Sequence, residues 1–230
     1  MLFRRFFQPV TKRFVERRIL ATHPMHLFRI IQDVDAYAQF LPLCTDSKIL
    51  CVYNGGRTFE ATLTVGFLSQ RILGGRGFTE TYTSRVQVQP ENMTIATTSI
   101  ESRLFDSLKS RWKLGEVWEP PEKVSSIRQD GDQHDDIDDG TSSSNNSCGG
   151  DPSRLQLPHC DVEFEVEMTV SDPMIIQVLD ALLKSVAEKQ VEAFDQRCRE
   201  ISLPEDIQAS IQYESEKRQQ LHHGNNKKWQ

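Results

Sequence analysis

Few residues of this 230-residue chain are of types and spacings that could do chemistry. His23 and His26 stand one helical turn apart, and His159 neighbours Cys160. A metal site needs such groups to converge with a further carboxylate, and nothing in the spacing enforces that. Five cysteines, Cys44, Cys51, Cys148, Cys160 and Cys198, are odd in number, scattered and free of any CxxC pair. Reduced thiols of a matrix or cytosol fit them better than disulfides. Gly74-Gly-Arg-Gly77 has glycines without the spacing of a phosphate loop and reads as a surface turn. GxSxG and HExxH signatures are missing as well. Tyr82 is the main ionisable residue on an inward strand face, better suited to orienting a ligand or closing a core hydrogen bond than to acid catalysis. What remains is the chemistry of binding, with no catalytic residue, metal or cofactor expected.

The elements that would position such a site are written in apolar spacing. From Cys160 to Val170 the chain alternates strictly, sending Val162, Phe164, Val166, Met168 and Val170 to one face of a strand and Asp161, Glu163, Glu165 and Glu167 to the other. Asp172 can cap a following helix with Pro173 at its first position. Ile176, Leu179, Leu183, Val186, Val191, Phe194, Cys198 and Ile201 then recur at mostly three- to four-residue steps and give that helix one long apolar face. A curved antiparallel sheet with this helix laid across its apolar face buries both and can enclose a hydrophobic cavity.

Upstream, a strand from Val15 to Leu20 precedes a helix begun at Pro24 and capped by Thr22 or His23. A second short helix, with Asp35 as its cap, ends at Pro42. Strands follow at about 47–53 and 57–67, joined through Asn54-Gly-Gly56, a turn favouring positive φ. Further strands are expected at about 78–88, 93–100 and 111–118. Gly66 marks a bulge or a close approach. On the inward faces, Phe59, Leu63, Val65, Phe67, Trp112, Phe164, Val166 and Met168, with Tyr82 and the helix residues Leu179 and Leu183, are the candidate ligand-binding residues. Each taken singly reads more readily as core. Together they favour a greasy ligand, by roughly 25 cal/mol per Å² of apolar area buried.

Residues 119–156 carry nine acids against three bases, equal to the whole chain's formal charge of −6, and almost nothing that can be buried. They read as a disordered loop between two strands, with an acidic interaction segment as the alternative. The folded part is then close to neutral, and nucleic acid is not an expected partner. Residues 1–13 form a basic segment with the composition of a mitochondrial targeting sequence, the alternative being a strand lead-in whose phenylalanines pack. The domain is expected over 14–205, followed by a disordered polar tail over 206–230. No apolar run approaches the roughly 20 residues of a membrane-spanning helix, so a soluble or peripheral protein is expected.

Phe28-Arg-Ile-Ile-Gln-Asp-Val-Asp-Ala-Tyr-Ala-Gln-Phe-Leu-Pro-Leu-Cys44, Leu63-Thr-Val-Gly-Phe67, Thr83-Ser-Arg-Val86, Leu104-Phe105 with Trp112, and Val162-Glu-Phe164 leading to Val191-Glu-Ala-Phe-Asp-Gln-Arg197 resemble the mitochondrial coenzyme Q-binding protein family. The resemblance covers about residues 14–202, apart from the acidic insert. It implies an α+β, START-like helix-grip fold: a curved antiparallel sheet of about seven strands wrapped around a long C-terminal helix, with two short helices after strand 1. It also implies that ubiquinone or a related polyprenyl quinone is the bound ligand, serving respiration and coenzyme Q biosynthesis without a catalytic step. By the same resemblance Leu41, Pro42, Leu43 and Phe105 lie near the ligand. The protein would sit peripherally on the matrix side of the mitochondrial inner membrane, beside respiratory or coenzyme Q biosynthesis complexes. Leu43 departs from the pattern, since the family often has tryptophan there. The residues between Phe67 and Phe78 and the insert after Trp118 are longer than the family leads one to expect. Two other functions are compatible with such a fold: an aromatase/cyclase-type enzyme and a ribosome-associated interaction protein.

Overall fold

The computed structural model describes residues 8–67, 78–103, 105–117, 158–176 and 179–226. Strand β1 (Val10–Leu20) leads into helices α1 (Pro24–Gln32) and α2 (Tyr37–Phe40). Strands β2 (Cys44–Tyr53), β3 (Thr58–Phe67), β4 (Phe78–Gln89), β5 (Thr94–Glu101), β6 (Ser107–Val117) and β7 (His159–Val170) follow. The chain ends in helices α3 (Pro173–Ile176), α4 (Leu179–Glu200) and α5 (Glu205–Asn226). One antiparallel sheet holds all seven strands in the order β1-β7-β6-β5-β4-β3-β2. Strands β2 to β7 are thus a meander, and β1 closes onto its far side. The expected α+β architecture, with two short helices after the first strand and a long helix after the last, is the one observed.

The period-two pattern of β7 does what its residues dictate. Val162, Phe164, Val166, Met168 and Val170 are buried, while Glu163, Glu165 and Glu167 face out. These carboxylates do not stand alone on the wet face. Arg13 and Arg17 of β1 reach Glu165 at 2.5 Å and Glu163 at 2.7 Å, and from β6 Arg111 reaches Glu165 at 2.6 Å and Lys109 reaches Glu167 at 3.2 Å. Cross-strand pairs of opposite charge fix register as well as adding modest stability. They also explain a boundary that composition misplaces: Val10–Arg13, assigned to the basic leader, belong to β1, paired from Val10↔Val170 to Arg13↔Glu167.

Helix α4 lies against the sheet through Leu183, Ala187, Val191, Phe194 and Cys198, at steps of three or four residues. The apolar stripe read as one helix is described as α3, to Ile176, and α4, from Leu179, with residues 177 and 178 outside the described residues. Phe194 ties the layers together, its ring 5.0 Å from Trp112 on the sheet, 5.4 Å from Tyr37 and 5.2 Å from Phe40. These edge-on contacts are the geometry aromatic quadrupoles favour.

Some local details differ from the sequence reading. His23 caps α1, its Nδ1 accepting from the Met25 N–H at 3.1 Å. Asp35 does not cap α2; its carboxylate accepts the Ile49 N–H at 2.6 Å and so braces β2 instead. Gly66 is neither bulged nor crowded: its register with Thr79 is unbroken, and a Cβ there would make an ordinary contact 3.8 Å from Thr45. The register shifts beside it lie on β2. Asn54, Gly55 and Gly56 all take positive φ in the β2–β3 turn. The tail expected to be disordered is helix α5, because Ile207 and Ile211, one turn apart, are buried and Asp206 pairs with Arg29 of α1. Two apolar residues in a polar stretch suffice when a neighbouring surface receives them. The acidic insert, most of the basic leader and residues 68–77 lie outside the described residues.

Candidate functional site: an apolar cavity under helix α4

Between the inner face of the sheet and α4 lies a cavity of about 200 Å³. Its floor is the row Ile95, Trp112 and Phe164, on three neighbouring strands, with Trp112 and Phe164 4.3 Å apart between ring centres. Leu63 and Val65 of β3 form one wall, Val166 and Met168 of β7 another, and Leu183 of α4 the roof. The mouth is marked by exposed Pro42, Leu43 and Lys189.

Twelve of the fifteen sequence candidates line this space: Leu41, Pro42, Leu43, Leu63, Val65, Tyr82, Phe105, Trp112, Phe164, Val166, Met168 and Leu183. Phe59 does not; it is 4% exposed and belongs to the core. Alternation assigns Phe59 to the inward face correctly, yet says nothing of how far along β3 the cavity runs, and Phe59 sits at the hairpin end opposite Val52. The side chains of Phe67 and Leu179 fall outside the described residues.

The mouth is built by one turn. Tyr37 O accepts the Leu41 N–H at 2.8 Å to finish α2, and Leu41 O then accepts the Cys44 N–H at 3.2 Å. With Pro42 second and Leu43 third at φ 70°, this has the pattern of a type II turn whose third position ordinarily belongs to glycine. Leu43 is 38% exposed and its carbonyl accepts the Gly66 N–H at 2.8 Å, which locks the turn to β3.

Polar groups on the wall are few and mostly hydroxyls. Tyr37 donates to Ile31 O, and Thr97 and Ser110 bond each other at 2.7 Å. Burial pushes the Tyr37 and Tyr82 phenols well above their ordinary value, so both remain neutral. The Cys44 thiol, also on the wall, is pushed up by burial and donates to Asp46 O at 3.4 Å. Among the described residues no group of three histidine, cysteine or acidic side chains is placed to hold a metal. His26, weighed as a ligand from sequence, contacts Cys198 O at 3.3 Å in the core.

Two contributors escape the sequence reading. Ser84 is 5% exposed and lines the cavity; being small and polar, it carries no signal in an apolar pattern. Glu80 is buried on the inward face of β4, where it accepts the Ser102 hydroxyl at 2.9 Å and the Arg103 N–H at 2.7 Å. Ser102 in turn accepts the Phe105 N–H at 3.3 Å, so Glu80 anchors the segment that brings Phe105 to within 5.3 Å of the Tyr82 ring. An acid at an inward position of an otherwise alternating strand was the available clue.

Sheet, gripping helix and apolar cavity make a START-like helix-grip fold, and comparison with known proteins agrees. Residues 20–195 match the family described as "Polyketide cyclase / dehydrase and lipid transport", and the chain belongs to that family. It is 34% identical over 102 residues to the mitochondrial coenzyme Q-binding protein coq10 of Schizosaccharomyces pombe, a stretch covering 44% of this chain and 57% of that one. It is 28% identical over 103 residues to the ribosome association toxin RatA of Rickettsia prowazekii, covering 44% of this chain and 64% of the relative. The matches thus span less than two thirds of either relative. A START superfamily protein from Mycobacterium smegmatis has the same fold, with a TM-score of 0.55 at 16% identity over 83% of this chain and 99% of that one.

Proposed function

We propose that this chain binds a polyprenyl quinone, ubiquinone or a close relative, in the cavity under α4, and acts as its chaperone and carrier for mitochondrial respiration and coenzyme Q biosynthesis. The observation that carries the reading is the cavity itself: apolar on floor, walls and roof, with an exposed apolar turn at its mouth. A long isoprenoid tail is expelled by water, so its movement between membrane and enzyme needs a sheath. At about 200 Å³ the cavity is smaller than the roughly 300–1,000 Å³ of drug-sized sites. It suits the ring and the first tail units, the remainder of the tail leaving through the mouth and staying in the bilayer. Lifting the quinone partly out is then enough for transfer. No helix among the described residues is long and apolar enough to cross a membrane. The basic N-terminal segment and the mitochondrial fission-yeast relative support a mitochondrial setting, and we place the protein peripherally on the matrix side of the inner membrane.

Organic extraction of the purified protein followed by mass spectrometry should release quinone in near-stoichiometric amount. Val65→Lys or Val166→Lys should abolish it, because a charge facing hydrocarbon is not solvated there. Unchanged quinone in a folded Val65→Lys protein would overturn the assignment. The family description also includes cyclases. That reading gains if the extract instead holds a polyketide-like compound that the protein converts. Binding without a catalytic step is proposed because the wall offers hydroxyls, the protonated Cys44 thiol, Gln190 and the rim ammonium of Lys189 rather than a carboxylate or imidazole pair.

A further inference from the structure

Tyr82 and Ser84 follow one another on the inward face of β4, about 7 Å apart along the strand, and both line the cavity. Their hydroxyls differ from the others that the strands and α2 turn towards the cavity. On the strands Thr97 and Ser110 satisfy each other, and on α2 Tyr37 is satisfied by Ile31 O. Among the described residues nothing hydrogen-bonds the hydroxyl of Tyr82 or of Ser84. Tyr82 is half-buried and Ser84 buried, so two adjacent hydroxyls without a protein partner face one apolar space and are free to bond a ligand's own polar atoms.

The pair is also held in place. Phe105 meets the Tyr82 ring edge-on at 5.3 Å, and Phe105 is in turn fixed through Ser102 by buried Glu80. Pre-organisation of this kind is characteristic of a recognition site. The position fits a ligand with one polar end, since Ser84 lies at the enclosed part of the cavity whereas Leu43 and Lys189 are exposed at the mouth.

We propose that the Tyr82 and Ser84 hydroxyls are the headgroup site of this cavity, donating hydrogen bonds to the ring oxygens of a neutral quinone whose tail leaves past Leu43 and Lys189. This rests on the quinone reading above and gives it a pose. Because a hydroxyl both donates and accepts, the same two groups serve the quinone's carbonyls and the quinol's hydroxyls. The site therefore takes both oxidation states.

The test titrates the purified protein with decylubiquinone and with n-decylbenzene, which has a similar tail and no ring oxygens, by isothermal titration calorimetry. Tyr82→Phe should raise the Kd for decylubiquinone about three- to tenfold and Ser84→Ala about two- to fivefold, as loss of one neutral hydrogen bond predicts. Neither should alter the Kd for n-decylbenzene. Infrared spectra of carbon-13-labelled decylubiquinone should show a carbonyl band at higher frequency in Tyr82→Phe than in the parent protein. Wild-type affinity and an unshifted band in both variants would overturn the headgroup site and leave quinone binding standing. Equal weakening of both ligands would overturn it too, since that is the mark of packing alone. A parent protein that takes up no decylubiquinone would overturn the quinone reading itself. Should Tyr82→Phe fail to fold, Ser84→Ala with the same two ligands decides.

Discussion

Leu43 sits in a backbone conformation that costs an L-residue roughly 1–2 kcal/mol, at φ 70° on the rim of the cavity. Glycine would relieve that strain and remove the exposed side chain. Leu43→Gly is therefore expected to raise stability by up to about 1 kcal/mol while slowing quinone transfer between liposomes, measured by urea denaturation and by a donor–acceptor vesicle assay. A slower transfer with equal or greater stability separates a role at the mouth from ordinary burial. On the outer face, the Arg13 guanidinium, with help from Arg111, holds the Glu165 carboxyl below its ordinary value of 4.5. A carboxylate whose native pKa is depressed stabilises the fold above its ordinary pKa and loses that contribution as pH falls through the lower native value. Glu165→Gln should thus cost about 1 kcal/mol or less at pH 7, given the exposure of both arginines. The two proteins should converge in stability on acidification below pH 4.5. A constant difference across that window would show packing, not ion pairing, to be responsible.

At the scale of elements, α5 gives the sharpest contrast between composition and structure. Glu205–Asn226 is polar enough to read as an unstructured tail, but Ile207 and Ile211 are 2% and 3% exposed. Ile207→Ala is expected to destabilise the domain by about 2–4 kcal/mol in chemical denaturation. A change near zero would return the segment to the status its composition implies. The strands were legible for the opposite reason. In β7 every second residue is large and apolar, so period two declares the face. Where the inward face carries Glu80, Tyr82 and Ser84 the pattern weakens, and those positions hold the anchor and the unpaired hydroxyls. Phe59 shows the remaining limit: a face can be read from periodicity, but a cavity's extent along that face depends on where α4 crosses it.

For the whole molecule, the register of β6 with β7 decides what the long insert must do. Val117 stands opposite His159, so the chain leaves and re-enters the sheet at adjacent strand ends. A hairpin loop of about two to five residues would span that gap. Replacing residues 121–155 with a short glycine-serine join should leave thermal stability and quinone content intact, because the paired strands on either side carry their own hydrogen bonds. A large loss of either would show that the insert packs against the domain or covers the mouth. The family resemblance was readable because its residues fall on the cavity's own parts: Leu41 to Cys44 at the mouth, Leu63 and Val65 on a wall, Trp112 and Phe164 on the floor. The register of the ion-paired outer face and the docking of α5 were not, since both depend on residues far apart in sequence.

Cys44 places a sulfur on the wall of a space proposed to hold an electrophilic ring. Thiols attack quinones as thiolates, so the hazard of covalent capture scales with the deprotonated fraction. Burial raises the pKa of this thiol, and its hydrogen is engaged by Asp46 O. The sulfur is thereby kept a poor nucleophile, and a quinone held against it would leave without forming a thioether, as cargo must.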